Sequence, residues 1–261
     1  MMRFIKSAVV TAFSLFLLSA CITETSNPVF NVEESEDSAL EDYLLLSIGY
    51  LEQGDLANTK RHLANVARID SNNSKMFGVW GLVYAREGEP ALAEQNFNRS
   101  LRLDSANSQI RNNYAAFLFS EGRIDDAYEQ LARVVQDTGY EQRPQAFENM
   151  GIAALRLNRI EDADQAFSRA LQLNPNQLRS ALELVVINME RGDILQARAY
   201  WRNYLTLIQF FNVGHNARSL LIGARLELAM QNEANAFEYG DLLETNFPDS
   251  REYELFQQAM E

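Results

Sequence analysis

The chain has 261 residues, of which 47% are apolar and 23% charged, a composition that can fill a buried core and excludes a largely disordered protein. Only 5 prolines and 12 glycines interrupt that length, which favours an all-α architecture over strand-rich folds. The formal net charge of −13 makes nucleic acid an unfavourable partner, and a single cysteine excludes an internal disulfide.

Residues 1–20 have the pattern of a signal peptide. Arg3 and Lys6 occur without any acidic residue and precede an uncharged apolar run, residues 7–20. At about 1.5 Å rise per residue this run covers only ~21 Å, which is shorter than the roughly 30 Å that a membrane-spanning helix must cross. We therefore predict a cleaved leader and not a transmembrane anchor.

The leader ends in Leu18-Ser19-Ala20-Cys21, which resembles the bacterial lipobox. This resemblance implies that the Cys21 thiol is lipidated, so that the acylated residue holds the chain in a lipid bilayer, and that cleavage occurs just before it. The alternative is a buried free cysteine that happens to follow small residues. By resemblance to Gram-negative lipoproteins, Ile22 at the next position implies the outer membrane, with the protein on its periplasmic face.

Residues 21–39 comprise Cys21 and an acidic segment, 22–39, without a helical period, which we interpret as a flexible tether. For about 18 flexible residues the root-mean-square span is on the order of 25 Å. Such a tether would lift a folded domain clear of the lipid headgroups.

From residue 40 onwards a turn signal recurs, with a spacing of 34 residues between its first three occurrences. Thirty-four residues is the tetratricopeptide period, and each such repeat is a pair of antiparallel helices. The turn dipeptides are Gly54-Asp55, Gly88-Glu89, Gly122-Arg123, Asn158-Arg159 and Gly192-Asp193.

These signals predict an all-α tetratricopeptide-repeat solenoid, in which about six helical hairpins form a right-handed superhelix. The sixth repeat has drifted at its turn, Gln231-Asn232, and residues 251–261 read as a capping helix. The predicted repeats are 40–73, 74–107, 108–141, 144–177, 178–211 and 217–250.

Small residues mark the predicted crossing of the two helices in a hairpin. One alanine lies at this point in each of four repeats, followed one turn later by a large apolar residue that we expect to fill the gap to the next repeat. The turn glycines are expected to end each first helix with a positive φ. The alanines are Ala93, Ala127, Ala163 and Ala197, and the large residues are Phe97, Leu131, Phe167 and Trp201.

Candidate catalytic groups are few. His62 has no metal-ligating partner one turn away, and His215 lies in a predicted loop, so a packed or solvated role is expected for the first and a turn role for the second. The acidic pairs Asp125-Asp126 and Glu161-Asp162 fall at helix N-termini, where they favour the helix dipole. We therefore expect no enzymatic activity, no cofactor or metal, and no small-molecule substrate.

A binding function is expected on the concave face of the solenoid. The first helix of repeat 1 is apolar almost all round, which predicts a partner-binding groove lined by Leu44, Leu45, Ile48 and Leu51. The alternative is that the tether or repeat 2 covers this surface.

Asparagines occupy equivalent positions of the first helices in repeats 3 and 4. The side-chain amides of Asn113 and Asn149 can both donate to and accept from a peptide backbone, so they could hold an extended partner segment. Solvated or capping asparagines are the alternative.

Three segments resemble the PilF/PilW family of type IV pilus biogenesis and stability lipoproteins: Asn112 to Leu118, Phe147 to Gly151 and, most specifically, Asn216 to Leu226. The last contains Asn-Ala-Arg-Ser-Leu-Leu, which is not part of the tetratricopeptide consensus. The resemblance implies a pilotin, an outer-membrane protein that binds subunits of the pilus secretin and promotes their membrane insertion and multimerisation. A periplasmic scaffold serving another envelope assembly, such as barrel assembly or cell-wall synthesis, stays open as the alternative.

Overall fold

A computed structural model describes residues 36–260. The chain divides into two units, residues 1–39 and 40–261, and of the first unit only residues 36–39, the start of the first described helix, are described. The predicted signal peptide, Cys21 and residues 22–35 of the predicted tether lie outside the described residues.

Residues 36–260 form thirteen α-helices and no strand, which confirms the all-α prediction. The helices are α1 (Glu36–Glu52), α2 (Leu56–Ile69), α3 (Ser74–Arg86), α4 (Pro90–Leu103), α5 (Ser108–Ser120), α6 (Ile124–Val134), α7 (Arg143–Arg156), α8 (Ile160–Leu173), α9 (Leu178–Glu190), α10 (Ile194–Phe210), α11 (Ala217–Ala229), α12 (Glu233–Asn246) and α13 (Arg251–Met260).

The first helix begins earlier than predicted. The tether was expected to run to residue 39, but α1 begins at Glu36. Two acidic residues, Glu36 and Asp37, lie in its first turn, where negative charge interacts favourably with the N-terminal end of the helix dipole. An acidic segment that lacks an apolar period can therefore still form a helix start.

Each predicted repeat contains two helices, and the connecting turn has a residue in the left-handed region. Glycine adopts this conformation without steric cost, and asparagine tolerates it better than most residues do. The positive φ predicted for the turn glycines is confirmed. The residues and their φ angles are Gly54 (78°), Gly88 (73°), Gly122 (76°), Asn158 (57°), Gly192 (77°) and, at the drifted turn of the sixth repeat, Gln231 (60°).

Within the hairpins, small residues pack against large side chains. All four predicted crossing alanines are fully buried. In the second repeat, a Cβ atom at Gly81 would lie 2.8 Å from the Phe97 ring, and in the fourth, a Cβ at Gly151 would lie 2.7 Å from Phe167. Glycine is required at both positions because real Cβ atoms do not approach other carbons that closely.

Adjacent repeats share their cores, as a solenoid requires. The buried ring of Phe97 on α4 lies 5.3 Å from that of Tyr114 and 5.7 Å from that of Phe117, both on α5 of the next repeat. At the C-terminal end, Phe256 of α13 is buried with Leu220 and Leu243 of the sixth repeat, so α13 covers the end of the stack. Nowhere in residues 36–260 is a helix both long and apolar enough to cross a bilayer.

Candidate functional site

The outer side of α1 carries an apolar surface, formed by Leu45, Leu46 and Ile48, which we call the α1 surface. Leu45 is 65% exposed, Leu46 45% and Ile48 39%. Beside it lies a shallow, open hollow, lined by residues of α1 and the residue that follows it: Asp42, Leu45, Leu46, Gly49, Tyr50 and Gln53. Because every lining residue comes from one helix or its end, no other described element walls this hollow.

Two of the four residues predicted to line this groove are not available to a partner. Leu44 and Leu51 are only 2% and 3% exposed, and both belong to the core formed with α2 and α3. The buried side of α1 has the spacing Leu40, Leu44, Ser47 and Leu51, so the interior of the solenoid needs these leucines. The prediction was wrong for Leu44 and Leu51, whereas Leu45 and Ile48 are exposed and Leu46 joins them.

His62 of α2 packs against α1 through its ring. The imidazole is buried and stacks on Tyr50 with a centroid distance of 5.3 Å and an interplanar angle of 8°. Of the two roles expected for His62, packed or solvated, the structure shows the packed one.

The two asparagines predicted to bind a partner have matching local contacts. Gln109 donates a hydrogen bond of 3.2 Å to the side-chain oxygen of Asn113, and Gln145 donates one of 3.3 Å to that of Asn149. Both amide NH₂ groups make no hydrogen bond to any other residue within 36–260. They are therefore oriented by their own helices and can still donate to a ligand.

Asn149 lies at a cleft formed by three first helices and Leu131 of α6, which we call the α5/α7/α9 cleft. Its volume is about 200 Å³. Its walls are mostly apolar, and Asn149 of α7 and Arg179 of α9 supply the polar groups. The lining residues are Ala115, Ala116, Phe119, Leu131, Asn149, Ile152 and Arg179. Asn113 is not among them, although it lies one turn before Ala116 on α5.

The buried carboxylate of Glu148, next to Asn149, joins two neighbouring repeats. One carboxylate oxygen of Glu148 on α7 accepts hydrogen bonds from the backbone N–H and the hydroxyl of Ser180 on α9, at 3.1 and 2.8 Å. Its other oxygen accepts a bond of 3.1 Å from Gln145. Since Glu148 is 6% exposed and fully hydrogen-bonded, its role is to hold α7 against α9.

The Asn216 to Leu226 segment holds the sixth repeat in place. Asn216 caps α11 by accepting a hydrogen bond of 2.8 Å from the backbone of Ser219, and the Ser219 hydroxyl accepts one of 3.1 Å from the backbone of Asn216. Arg218 forms a bidentate ion pair with Glu183 of α9. The Asn216 to Leu226 segment therefore has a structural role: it caps α11 and ties this helix to α9.

His215 precedes this cap and packs into an aromatic cluster. Its ring centroid lies 5.8 Å from that of Trp201, and its Nδ1 is 3.1 Å from the Ser219 hydroxyl. Burial lowers the pKa of His215, because a partly buried site disfavours the charged imidazolium. The turn role expected for this residue is accompanied by a packing role.

A second exposed apolar group lies where α10 ends, and the sequence did not point to it. Phe210 is 72% exposed, and its ring meets that of Phe211 edge to face at 5.1 Å. Val213 is exposed in the loop that follows. The unusual length of α10, 17 residues, distinguishes this region from the other second helices.

The acidic pair at the start of α6, Asp125-Asp126, forms ion pairs in the structure. Asp125 accepts a hydrogen bond of 3.2 Å from Arg159, and Asp126 one of 2.7 Å from Arg123. Within the part of the chain that the structure describes, no group of three histidine, cysteine, aspartate or glutamate side chains is arranged to hold a metal ion.

Comparisons with known proteins agree with the fold. A family model described as tetratricopeptide repeat matches residues 144–177, the same range as the predicted fourth repeat.

One curated relative matches nearly the whole chain. The sequence is 32% identical to the type IV pilus assembly protein PilF of Pseudomonas aeruginosa over 240 residues, which is 92% of this chain and 93% of PilF.

Two solved structures are also similar. A Pseudomonas aeruginosa PilF structure aligns with a TM-score of 0.78 and 33% identity, covering 86% of this chain and 99% of that one. The crystal structure of PilW, described as a widely conserved type IV pilus biogenesis factor, aligns with a TM-score of 0.67 and 22% identity over 83% of this chain and 97% of its own, and at that identity the likeness concerns the fold.

Proposed function

The chain belongs to the PilF/PilW family of tetratricopeptide-repeat proteins, and from this membership we propose that it acts in type IV pilus biogenesis as an outer-membrane lipoprotein that binds secretin subunits and promotes their localisation and multimerisation. The role is that of a binding protein and not of an enzyme. It is exerted from the periplasmic face of the membrane.

The observation that carries this proposal is the extent of the similarity to PilF. A shared tetratricopeptide repeat would support only a general protein-binding scaffold, because many unrelated functions use that fold. The alignment instead covers 92% of this chain and 93% of PilF, so it extends beyond any single repeat. This breadth favours pilus assembly over a scaffold for another envelope process.

The α1 surface is the proposed contact with secretin. Leu45, Leu46 and Ile48 expose neighbouring apolar side chains on one helix, and burial of each against a partner would contribute roughly 1.5–3 kcal/mol. In this proposal, contact with α1 covers apolar surface of a secretin subunit before the subunit meets its neighbours. When neighbouring subunits bury that surface, the contact is released.

Lipidation of Cys21, which lies outside the described residues, would supply the second part of the mechanism. Several acyl chains anchor a protein stably at a bilayer, at ~0.8 kcal/mol per buried methylene. With the binding domain tethered to the outer membrane, each captured subunit has a high effective concentration at the place where the multimer forms.

Co-purification tests the proposed contact. Full-length protein carrying a C-terminal tag is purified from detergent-solubilised outer membranes, and secretin is quantified in the eluate for the wild type and for Leu45→Glu. We expect the variant to lose most of the bound secretin, because a charge replaces an apolar contact. The control is Leu195→Glu on α10, where an 82% exposed leucine lies on a second helix. Equal recovery with wild type and Leu45→Glu would refute the α1 surface as the contact.

A further inference from the structure

The end of α10 and the turn after it form a surface suited to contact with lipid. We call its three apolar side chains, Phe210, Phe211 and Val213, the α10 tip. We propose that the α10 tip inserts into the interfacial region of a phospholipid bilayer that contains anionic lipids, with arginines of α10 contacting the headgroups. The lipid anchor of the proposed function enters this inference only as the reason why a bilayer is within reach.

The side chains of the α10 tip project from the solenoid. Phe210 is 72% exposed, and Phe211 and Val213 are exposed by nearly half. Because the Phe210 and Phe211 rings meet edge to face at 5.1 Å, they form one exposed aromatic unit. Contiguous exposed apolar groups of this kind mark contact sites for a protein or a membrane.

The α10 tip is an addition to the repeat pattern. α10 has 17 residues, whereas α2, α4, α8 and α12 have 14 each. Phe210 is the last residue of the extended helix, and Phe211 and Val213 follow it. Other hairpins of the solenoid close with a second helix that lacks this extension, so repeat packing does not account for the apolar character of the tip.

The charge pattern around the α10 tip differs from that of the whole chain. Residues 194–226, from the start of α10 through most of α11, contain four arginines and no acidic residue. The next longest acid-free stretch within residues 36–260 is 165–182. The chain as a whole has a net charge of −13 and is repelled by anionic headgroups, whereas this region attracts them.

The arginines of α10 are placed to contact headgroups when the tip is inserted. Arg202 is exposed and lies about two turns before Phe210 on the same helix, and Arg198 is exposed one turn earlier. Arg218, after the tip, is already paired with Glu183 and is not needed for this role. Exposed phenylalanine next to arginine, without acidic residues, is the composition of interfacial membrane segments.

The part of the sixth repeat beside the tip also lacks carboxylates. A hollow next to Val213 is lined by Gly214, His215, Leu220, Leu242, Asn246 and Phe247. Leu242 is 43% exposed, and the acidic residues of α12, among them Glu238 and Asp241, do not line this hollow. The apolar surface therefore continues from the tip onto α12, and it projects instead of forming a deep groove. A bilayer can accept projecting side chains without a complementary pocket.

A fluorescent label at the tip tests the inference on the full-length protein. The single cysteine, Cys21, is acylated in the proposed function, so an added cysteine supplies the only free thiol. Phe210→Cys and Leu195→Cys are each labelled with nitrobenzoxadiazole and reconstituted into vesicles of phosphatidylethanolamine and phosphatidylglycerol, with or without a nitroxide quencher on the acyl chains. Leu195 is the matched control because it is 82% exposed in the first turn of α10, about 22 Å from Phe210 along the helix axis.

We expect the label at position 210 to emit at shorter wavelength than the label at 195 and to be quenched by the nitroxide, because it leaves water for the acyl boundary. Adding Phe211→Glu should remove both effects, and adding Leu195→Glu should leave them unchanged. Replacing phosphatidylglycerol with phosphatidylcholine should reduce the quenching at 210, because the arginines lose their anionic partners.

Three results would overturn the inference. The first is equal quenching at positions 210 and 195, and the second is quenching at 210 that persists with Phe211→Glu. The third is a label at 210 that stays in water in vesicles and shifts its emission only when purified secretin is added, which would assign the tip to a protein partner.

The wild-type protein, taken through the same labelling, separates this inference from the lipid anchor. An acylated Cys21 takes up no label. If the wild type is labelled, the anchor is refuted, and the tip is then tested with Phe210→Cys in the Cys21→Ser background, using the same vesicles and the same expected results. Failure of the secretin contact at the α1 surface would leave the quenching at position 210 unchanged.

Discussion

Arg218 of α11 donates two parallel hydrogen bonds of 2.7 Å to the two carboxylate oxygens of Glu183 on α9. Glu183 is 6% exposed, so its charge is removed from water and depends on this partner. The pair joins the first helices of the fifth and sixth repeats. The sixth repeat is thereby held by a directional contact in addition to apolar packing.

Replacing Arg218 with alanine should destabilise the protein by about 1.5–3 kcal/mol, because a buried carboxylate loses its charged hydrogen bonds. Arg218→Lys should restore only part of the loss, since lysine cannot form the bidentate pair. The control is Arg225→Ala, an exposed arginine of the same helix, with an expected change within about 0.5 kcal/mol. Urea unfolding measures all three, and an Arg218→Ala variant as stable as Arg225→Ala would contradict the assigned role.

Replacing Gly81 or Gly49 with alanine should change the stability of the protein in opposite directions. At Gly81, even a methyl group meets the Phe97 ring at 2.8 Å, so Gly81→Ala should cost about 1–3 kcal/mol by overpacking. At Gly49, no atom lies within 4 Å of an added Cβ, so Gly49→Ala should stabilise α1 by about 0.5–1 kcal/mol through helix propensity. In thermal unfolding, the melting temperature of Gly81→Ala should therefore lie below that of the wild type, and that of Gly49→Ala should lie above it. Movement in the same direction would contradict the proposed close contact.

Stability should fall at mildly acidic pH because of His215. Burial lowers the pKa of His215 in the folded state, so the unfolded chain binds more protons and free energy of unfolding decreases as pH falls through the unfolded value of about 6.5. We expect the wild type to lose more stability between pH 7.5 and 5.5 than His215→Gln, as measured by urea unfolding at both values. The same pH dependence in both proteins would show that another group is responsible.

The repeat architecture was accessible to sequence reasoning because its signals are local. A turn residue that must adopt a positive φ, such as Gly88, and a crossing residue that must be small, such as Ala163, are each constrained by their own few neighbours. The helix start at Glu36 was missed because a favourable first-turn charge leaves no apolar period.

The binding surfaces were less accessible, because they depend on how the helices are packed against one another. Leu44 and Leu45 are adjacent and identical in type, yet the first is buried and the second is 65% exposed. Their assignment depends on the rotation of α1 against α2 and α3, which a helix with apolar residues on several sides does not encode.

Replacing Cys21 with serine should release the protein from the outer membrane without unfolding it. The described helices begin at Glu36, so they do not include Cys21, the position that we propose is lipidated. Membrane fractionation should find Cys21→Ser depleted from the outer membrane, with secretin multimers formed inefficiently or at the wrong membrane. Recovery of the variant in the outer-membrane fraction at the wild-type level would refute the lipid anchor.

The most direct measurement of the proposed function is the yield of heat-stable secretin multimers, followed on gels, in cells producing Leu45→Glu, Leu195→Glu or wild-type protein. Introducing a charge and losing one buried leucine, worth roughly 1.5–3 kcal/mol, should weaken the contact by about a hundredfold or more. Leu45→Glu should therefore yield few multimers at normal protein level and membrane location, and Leu195→Glu should yield the wild-type amount. Normal multimers with Leu45→Glu would contradict the account, and loss restricted to Asn113→Ala and Asn149→Ala would assign secretin binding to the asparagines instead.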